Sequence, residues 1–230
     1  MIALNGRELP CAAPPTGAIT TLEDALIWSC PGPLLEASQP LPSRLLDAAL
    51  DDFGLFGEPN LVIETSVAEL EGPPALGNFD QAVVGQGSLT VTPLHMAMVA
   101  AGLANRGRIP PLQLAQRLIA PDGEIIPLEV DGSPRGTISP SNADSIAGAM
   151  RRSVLFGASR PALLPQQAVY GHTGVAIAGP EGQENAWFIG FVRPEGRDVI
   201  AVAVLIEDAE SAGIAAEIGG EALRIALQHP

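Results

Sequence analysis

The sequence predicts an α+β fold (α/β in the broad sense): an antiparallel sheet with a C-terminal helix packed on it, plus a mostly helical subdomain. Three observations predict it. From residue 169 the texture is that of strands, with 169–177, 186–192 and 198–207 rich in β-branched and aromatic residues. The last two are joined by Arg193-Pro194-Glu195-Gly196-Arg197, short enough that they must run antiparallel. Residues 211–228 then return to a helical pattern. The chain reads as one domain over 1–230, with a helical and loop part over about 1–168 and a sheet with its helix over about 169–230.

The elements follow in order. Thr20-Thr21-Leu22-Glu23 has capping-box spacing, with Thr20 as N-cap and Glu23 reaching back, and opens a helix over 22–29. Pro31, Gly32 and Pro33 are expected to end it, because proline lacks an amide hydrogen and disfavours helix in the residue before it. Residues 45–50 read as a second short helix, and 58–81 as a long Pro- and Gly-rich loop. Thr92-Pro93 starts a helix over 93–104 that is apolar on every side, capped by Asn105-Arg106-Gly107. Residues 118–126, with Pro121-Asp122-Gly123 at the centre, read as a hairpin. Ser139-Pro140 starts a helix to about residue 154. The C-terminal helix should lay Ile214, Ile218, Leu223 and Leu227 on the sheet, weakened by Gly219-Gly220.

Composition excludes several functions. Twelve basic residues face 26 acidic ones, for a net charge of −14, which repels nucleic acid and anionic lipid. All 12 basic residues are arginine, so this chain supplies no P-loop lysine, Schiff base or lysine general base. The longest apolar run, 199–206, falls far short of the about 20 residues of a membrane-spanning helix. Residues 1–10 lack the basic start and apolar stretch of a signal peptide. No metal-ligand motif, dinucleotide fingerprint or nucleophile elbow is present, so neither metal nor cofactor is implied. Cys11 and Cys30 have neither C-x-x-C spacing nor accompanying histidines; buried free thiols are the default, and a disulfide between them stays open. His95, within an apolar helix, reads as a core histidine whose ring is hydrogen-bonded.

Three segments, in this order, carry a resemblance. Ile19-Thr20, Ala25-Leu26 and Ser29-Cys30-Pro31 are followed by Phe53-Gly54. Gly85-Gln86-Gly87, Thr92-Pro93-Leu94 and Ala104-Asn105-Arg106-Gly107 come next, and then His172-Thr173-Gly174 with Ala186-Trp187-Phe188-Ile189-Gly190-Phe191. Together they resemble the transpeptidase domain of penicillin-binding proteins over nearly the whole chain. In that family a serine is activated by a lysine one helical turn later, an S-x-N motif relays a proton and holds substrate, and a K-T-G strand lines the other wall.

The resemblance implies that only part of this machinery is present. The S-x-x-K helix would precede Cys11, and residues 1–10 are too short and too poor in motif to contain it. Ser29 keeps the S-x-N serine, Pro31 replaces its asparagine, and His172 stands where lysine is usual. No catalytic residue is therefore assigned. Ser29, His172, Thr173 and Gly174 are the candidate vestigial ligand-binding residues. For Ser29 a serine satisfying backbone groups at a helix end is the plainer alternative; for His172, an exposed strand residue. The expected function is a non-catalytic binding or scaffolding module of the cell envelope. The alternative is the C-terminal portion of an active peptidoglycan transpeptidase whose Ser/Lys segment is supplied upstream or by another chain. Expected ligands are a peptidoglycan stem peptide or a β-lactam, held weakly and reversibly, in an extracytoplasmic location. The family's N-terminal strands are missing, so an exposed sheet edge should be covered by a homodimer or a cell-envelope partner. Residues 1–10 are the alternative cover, with only Ile2, Leu4 and Leu9 as an apolar pattern.

Overall fold

The computed structural model describes residues 2–4, 7–59, 61, 78–130, 132–178, 182–209 and 211–228. A hairpin of β1 (Ile2–Leu4) and β2 (Arg7–Leu9) leads into helices α1 (Leu22–Trp28), α2 (Pro31–Ser38), α3 (Arg44–Asp52), α4 (Phe79–Val83) and α5 (Pro93–Ala104). Two small antiparallel pairs follow, β3 (Arg108–Ile109) with β6 (Arg135–Gly136) and β4 (Arg117–Ile119) with β5 (Ile125–Pro127). After α6 (Pro140–Phe156) and a 3-10 turn at Arg160–Ala162 comes the main sheet: β7 (Val169–Ala178), β8 (Gln183–Val192) and β9 (Ile200–Ile206), antiparallel in the order β7-β8-β9. Helix α7 (Ala212–Gln228) closes the chain. The expected mixed α+β architecture is therefore the observed one.

The core lies on both faces of this sheet. Towards α7, Phe188 and Val192 pack with Ala215, Ala216 and Leu223; towards α5 and α6, Ile189 and Phe191 pack with Ala100, Leu103, Ala147 and Met150. The alternation of strand side chains produces this division. The Phe188 ring sits in a socket of glycines. A Cβ on Gly171, Gly190 or Gly219 would lie 2.5, 2.6 or 2.1 Å from its ring carbons. Gly171 and Gly190 are paired across β7 and β8, so the absence of both side chains opens the gap that the ring fills. His95 is buried with both ring nitrogens used: Nε2 donates to Gly57 O at 3.0 Å and Nδ1 accepts from the Thr92 hydroxyl at 3.0 Å.

Several expectations are corrected. The cap of α1 is Thr21, not Thr20, and the reciprocal acid is Asp24, not Glu23: Asp24 N–H donates to Thr21 Oγ1 at 3.0 Å, and the Asp24 carboxylate accepts from the amides of both Thr20 and Thr21 at 3.1 Å. The Thr21 side chain, followed by the Thr20 amide and then the Thr20 side chain and Thr21 amide, lowers the Asp24 pKa from its ordinary value. Pro31 does not terminate helical structure. The chain turns at Ser29 (φ 50, ψ 54) and Pro31 opens α2, where the missing amide hydrogen costs nothing in the first turn. The thiols of Cys11 and Cys30 are not free but form a disulfide across 19 residues, a loop closure that stabilises by about 3 kcal/mol. Most of the 58–81 loop lies outside the described residues, and its last residues form α4 instead, capped by Asn78. The described residues among 1–10 do not extend the main sheet, since β1 and β2 pair with each other.

The largest correction concerns α7. Ile214 and Ile218 point away from the sheet, 43% and 42% exposed, while Ala212, Ala215, Ala216, Gly219, Gly220 and Leu223 are buried. The glycines are the contact face because only a helix without side chains there comes close enough to cover Phe188 and the Ala162 backbone. In an exposed helix Gly→Ala stabilises by about 1 kcal/mol. Gly219→Ala should instead destabilise by about 1–3 kcal/mol, because the new methyl overlaps the Phe188 ring. Urea denaturation of the variant checks the sign, and a gain in stability would contradict the packing described.

Candidate functional site

Ser29 and His172 come together where α1 ends against β7, with Thr173 and Gly174 next along the strand. Helix α1 is fixed from behind: Ala158 N–H donates to Ile27 O at 2.9 Å, the Trp28 and Phe156 rings lie 6.5 Å apart, and a Cβ on Gly157 would strike Ile27 O. The Cys11–Cys30 bond and the Ala12 N–H to Ser29 O bond hold the segment on either side. Ser29 thus reaches β7 from a left-handed backbone conformation uncommon for a residue with a side chain.

The Ser29 hydroxyl donates to Thr173 O at 2.5 Å. Its partner is a backbone carbonyl, which accepts a hydrogen bond but does not take the proton, so the hydroxyl is not activated by this contact. His172 is half-buried on the same side of β7. Its Nδ1 donates to Leu26 O at 3.2 Å, which fixes the tautomer. Burial pushes the His172 pKa below its ordinary value, with the Leu26 carbonyl opposing in part. The imidazole is therefore neutral at pH 7, unlike the permanent cation of a lysine.

Thr173 points the other way. Its hydroxyl is 1% exposed on the α7 side of the sheet and is directed at Trp187 O (2.7 Å) and Ala212 O (2.9 Å). The period of the strand, which sends adjacent side chains to opposite faces, places this hydroxyl on the face away from His172. Gly174 faces open space, with no atom within 4 Å of where a Cβ would lie. Pro31, at the S-x-N asparagine position, is committed to the first turn of α2.

A further residue takes part that had no assigned role. Gln86, at the centre of Gly85-Gln86-Gly87, donates from Nε2 to Val175 O at 2.8 Å and accepts at Oε1 from Ile177 N–H at 2.9 Å. The signal available in the sequence was the pair of glycines around a single polar residue. A separate cleft of about 590 Å³ lies between the β1–β2 hairpin and α2, lined by Ile2, Ile19, Cys30, Leu35, Glu36 and Asp80 among others; it includes none of the four candidate residues. Among the described residues no group of His, Cys, Asp or Glu is arranged to hold a metal ion, and no helix is long and apolar enough to cross a membrane.

The chain is 29% identical over 237 residues to the peptidoglycan D,D-transpeptidase PbpA of Mycolicibacterium smegmatis, covering 97% of this chain and 47% of that protein. It is 28% identical over 241 residues to PbpA of Mycobacterium tuberculosis, again covering 97% of this chain and 47% of that one. It thus spans about half the length of these curated relatives. The crystal structure of the M. tuberculosis protein superimposes with a TM-score of 0.79 at 26% identity, over 90% of this chain and 49% of that one. Its imipenem acyl-enzyme complex gives a TM-score of 0.82 at 25% identity, over 97% and 52%. The family model of the penicillin binding protein transpeptidase domain matches residues 13–224, and the chain belongs to that family.

Proposed function

We propose that this chain serves as a binding or scaffolding module in peptidoglycan biology at the cell envelope and does not acylate by itself. One observation carries the reading: all 12 basic residues are arginine, so the chain has no amine to deprotonate a serine nucleophile. The surroundings support it. The Ser29 hydroxyl is bonded to a carbonyl, Pro31 replaces the amide of the S-x-N motif, and the Thr173 hydroxyl is engaged behind the sheet. What is left as a ligand wall is His172, the open front of Gly174 and the backbone of β7, enough for weak, reversible binding of a stem peptide or a β-lactam at about millimolar affinity. The relatives' names place them in peptidoglycan chemistry. The Cys11–Cys30 disulfide supports an oxidising, extracytoplasmic location.

The share of the relatives that is covered, about half, favours a second reading. Here these residues are the C-terminal portion of an active D,D-transpeptidase, and the Ser/Lys segment comes from upstream or from another chain. Either way β9 has an outer edge to cover. Its seven residues are half-buried throughout, although α5 and α7 pack beside it, whereas β8, flanked by strands on both sides, is fully buried from Phe188 to Val192. A strand from a partner or a second copy would bury that edge.

Three outcomes are expected. Incubation with penicillin G should leave the intact mass of this chain unchanged; a stable increase equal to the drug on any serine would overturn the non-acylating reading. Because the folded-state pKa of His172 lies below its unfolded value of 6.5, the unfolded chain binds the extra proton first. His172 therefore contributes stability above about pH 6.5 that is lost as pH falls towards the folded pKa. Denaturation midpoints for wild type and His172→Gln should converge on acidification, and parallel curves would contradict a neutral, buried imidazole. Light scattering over a dilution series should detect association that falls away as the chain is diluted. A monomer at every concentration with slow amide exchange along β9 would mean that the edge is satisfied within the chain.

A further inference from the structure

The two edges of the main sheet are finished differently, and the difference isolates Gln86. Along the outer edge of β7, side chains from other elements take the backbone groups: Arg151 Nη1 donates to Val169 O at 3.1 Å, Ser29 to Thr173 O, and Gln86 to Val175 O while accepting from Ile177 N–H. Gln86 is the one of the three whose single group satisfies both a carbonyl and an amide hydrogen of the strand. Those are the acceptor and donor that an added strand would engage. The flanking residues exist to present it. Gly85 and Gly87 have φ of +71 and +94, a region that side chains disfavour, and Gln86 N–H is tied to Gln81 O at 2.8 Å.

We infer that Gln86 is a plug on this strand edge. Its carboxamide stands in for a bound peptide and must leave Val175 and Ile177 before an extended ligand pairs with β7 there. The inference rests on the reading of β7 as a ligand wall and adds a selectivity to it. A ligand with an amide-like donor and acceptor replaces both bonds that Gln86 gives up. A simple carboxylate offers no donor for Val175 O and leaves that carbonyl unpaired. The plugged edge therefore favours peptide-like ligands over small acids, and it lowers the affinity for both relative to an edge without the plug.

The test compares wild type, Gln86→Ala and Gln86→Glu, titrated with an N-acetylated tripeptide ending in D-Ala-D-Ala and, separately, with acetate, while amide chemical shifts and Ile177 exchange are followed. In Gln86→Ala, Ile177 should exchange faster and the tripeptide should bind about tenfold tighter, the equivalent of one to two net hydrogen bonds no longer displaced. Gln86→Glu keeps the acceptor for Ile177 but loses the donor to Val175, so its affinity should fall between the other two. It also carries the comparison if the alanine variant does not fold. Measurable and equal tripeptide affinity in all three proteins would overturn the plug and leave β7 standing as a ligand wall. An absence of tripeptide binding in all three would overturn that reading of β7 and the plug with it.

Discussion

The packing of Phe188 into a space kept open by glycine is the constraint on which the rest of the structure depends. The ring is fully buried, and Gly171, Gly190 and Gly219 each leave it room that a single methyl would close. Gly171 and Gly190 lie opposite one another on β7 and β8, so the socket fixes their register. A slip of one residue would reverse every side chain on β7, moving His172 away from α1 and Thr173 towards it. The same ring sets how closely α7 approaches the sheet. Packing in the core thus decides which of the motif residues reach the candidate site.

Arginine takes part in this arrangement without forming a cationic site. Arg193 donates to the carbonyls of Leu103 and Ala104 at the end of α5 and lies 4.9 and 5.1 Å from the Phe191 and Tyr170 rings. Arg151 binds Val169 O, and Arg197 binds Leu227 O in the last turn of α7. A planar guanidinium is suited to such carbonyl clamps and stays charged while making them. The site itself has a neutral imidazole where the family has a cation. Burial of His172 and its bond to Leu26 hold that residue to the end of α1, so its ring positions the wall rather than charging it.

Sheet edges explain the rest of the surface logic. β7 has its outward groups taken by side chains at four backbone positions, a way of blunting an edge against unwanted pairing. β9 ends the sheet on the other side, its apolar residues partly buried against the two core clusters. The first edge is covered by side chains; the second is not paired with another strand among the described residues. A net charge of −14 makes copies of the chain repel one another at long range.

Much of the fold was legible in the chain itself. Thr92-Pro93 and Ser139-Pro140 place the starts of α5 and α6 correctly, because a capping hydroxyl and a preset φ act locally. The three strands and the final helix likewise follow from alternation and periodicity, within a few residues at their ends. Pro31 was ambiguous for a local reason, since proline both ends one helix and begins the next, and only the turn at Ser29 separates the two roles. The disulfide, the inward turn of Thr173, the Gly219 face of α7 and the reach of Gln86 to β7 were not legible. Each joins residues between 19 and 91 positions apart, or depends on such a join. The sequence by itself determined the longer helices, the three strands of the main sheet, the absence of lysine and the family; the tertiary structure alone decided which side of β7 each motif residue faces, because that choice is made by the packing of Phe188 and not by any local preference.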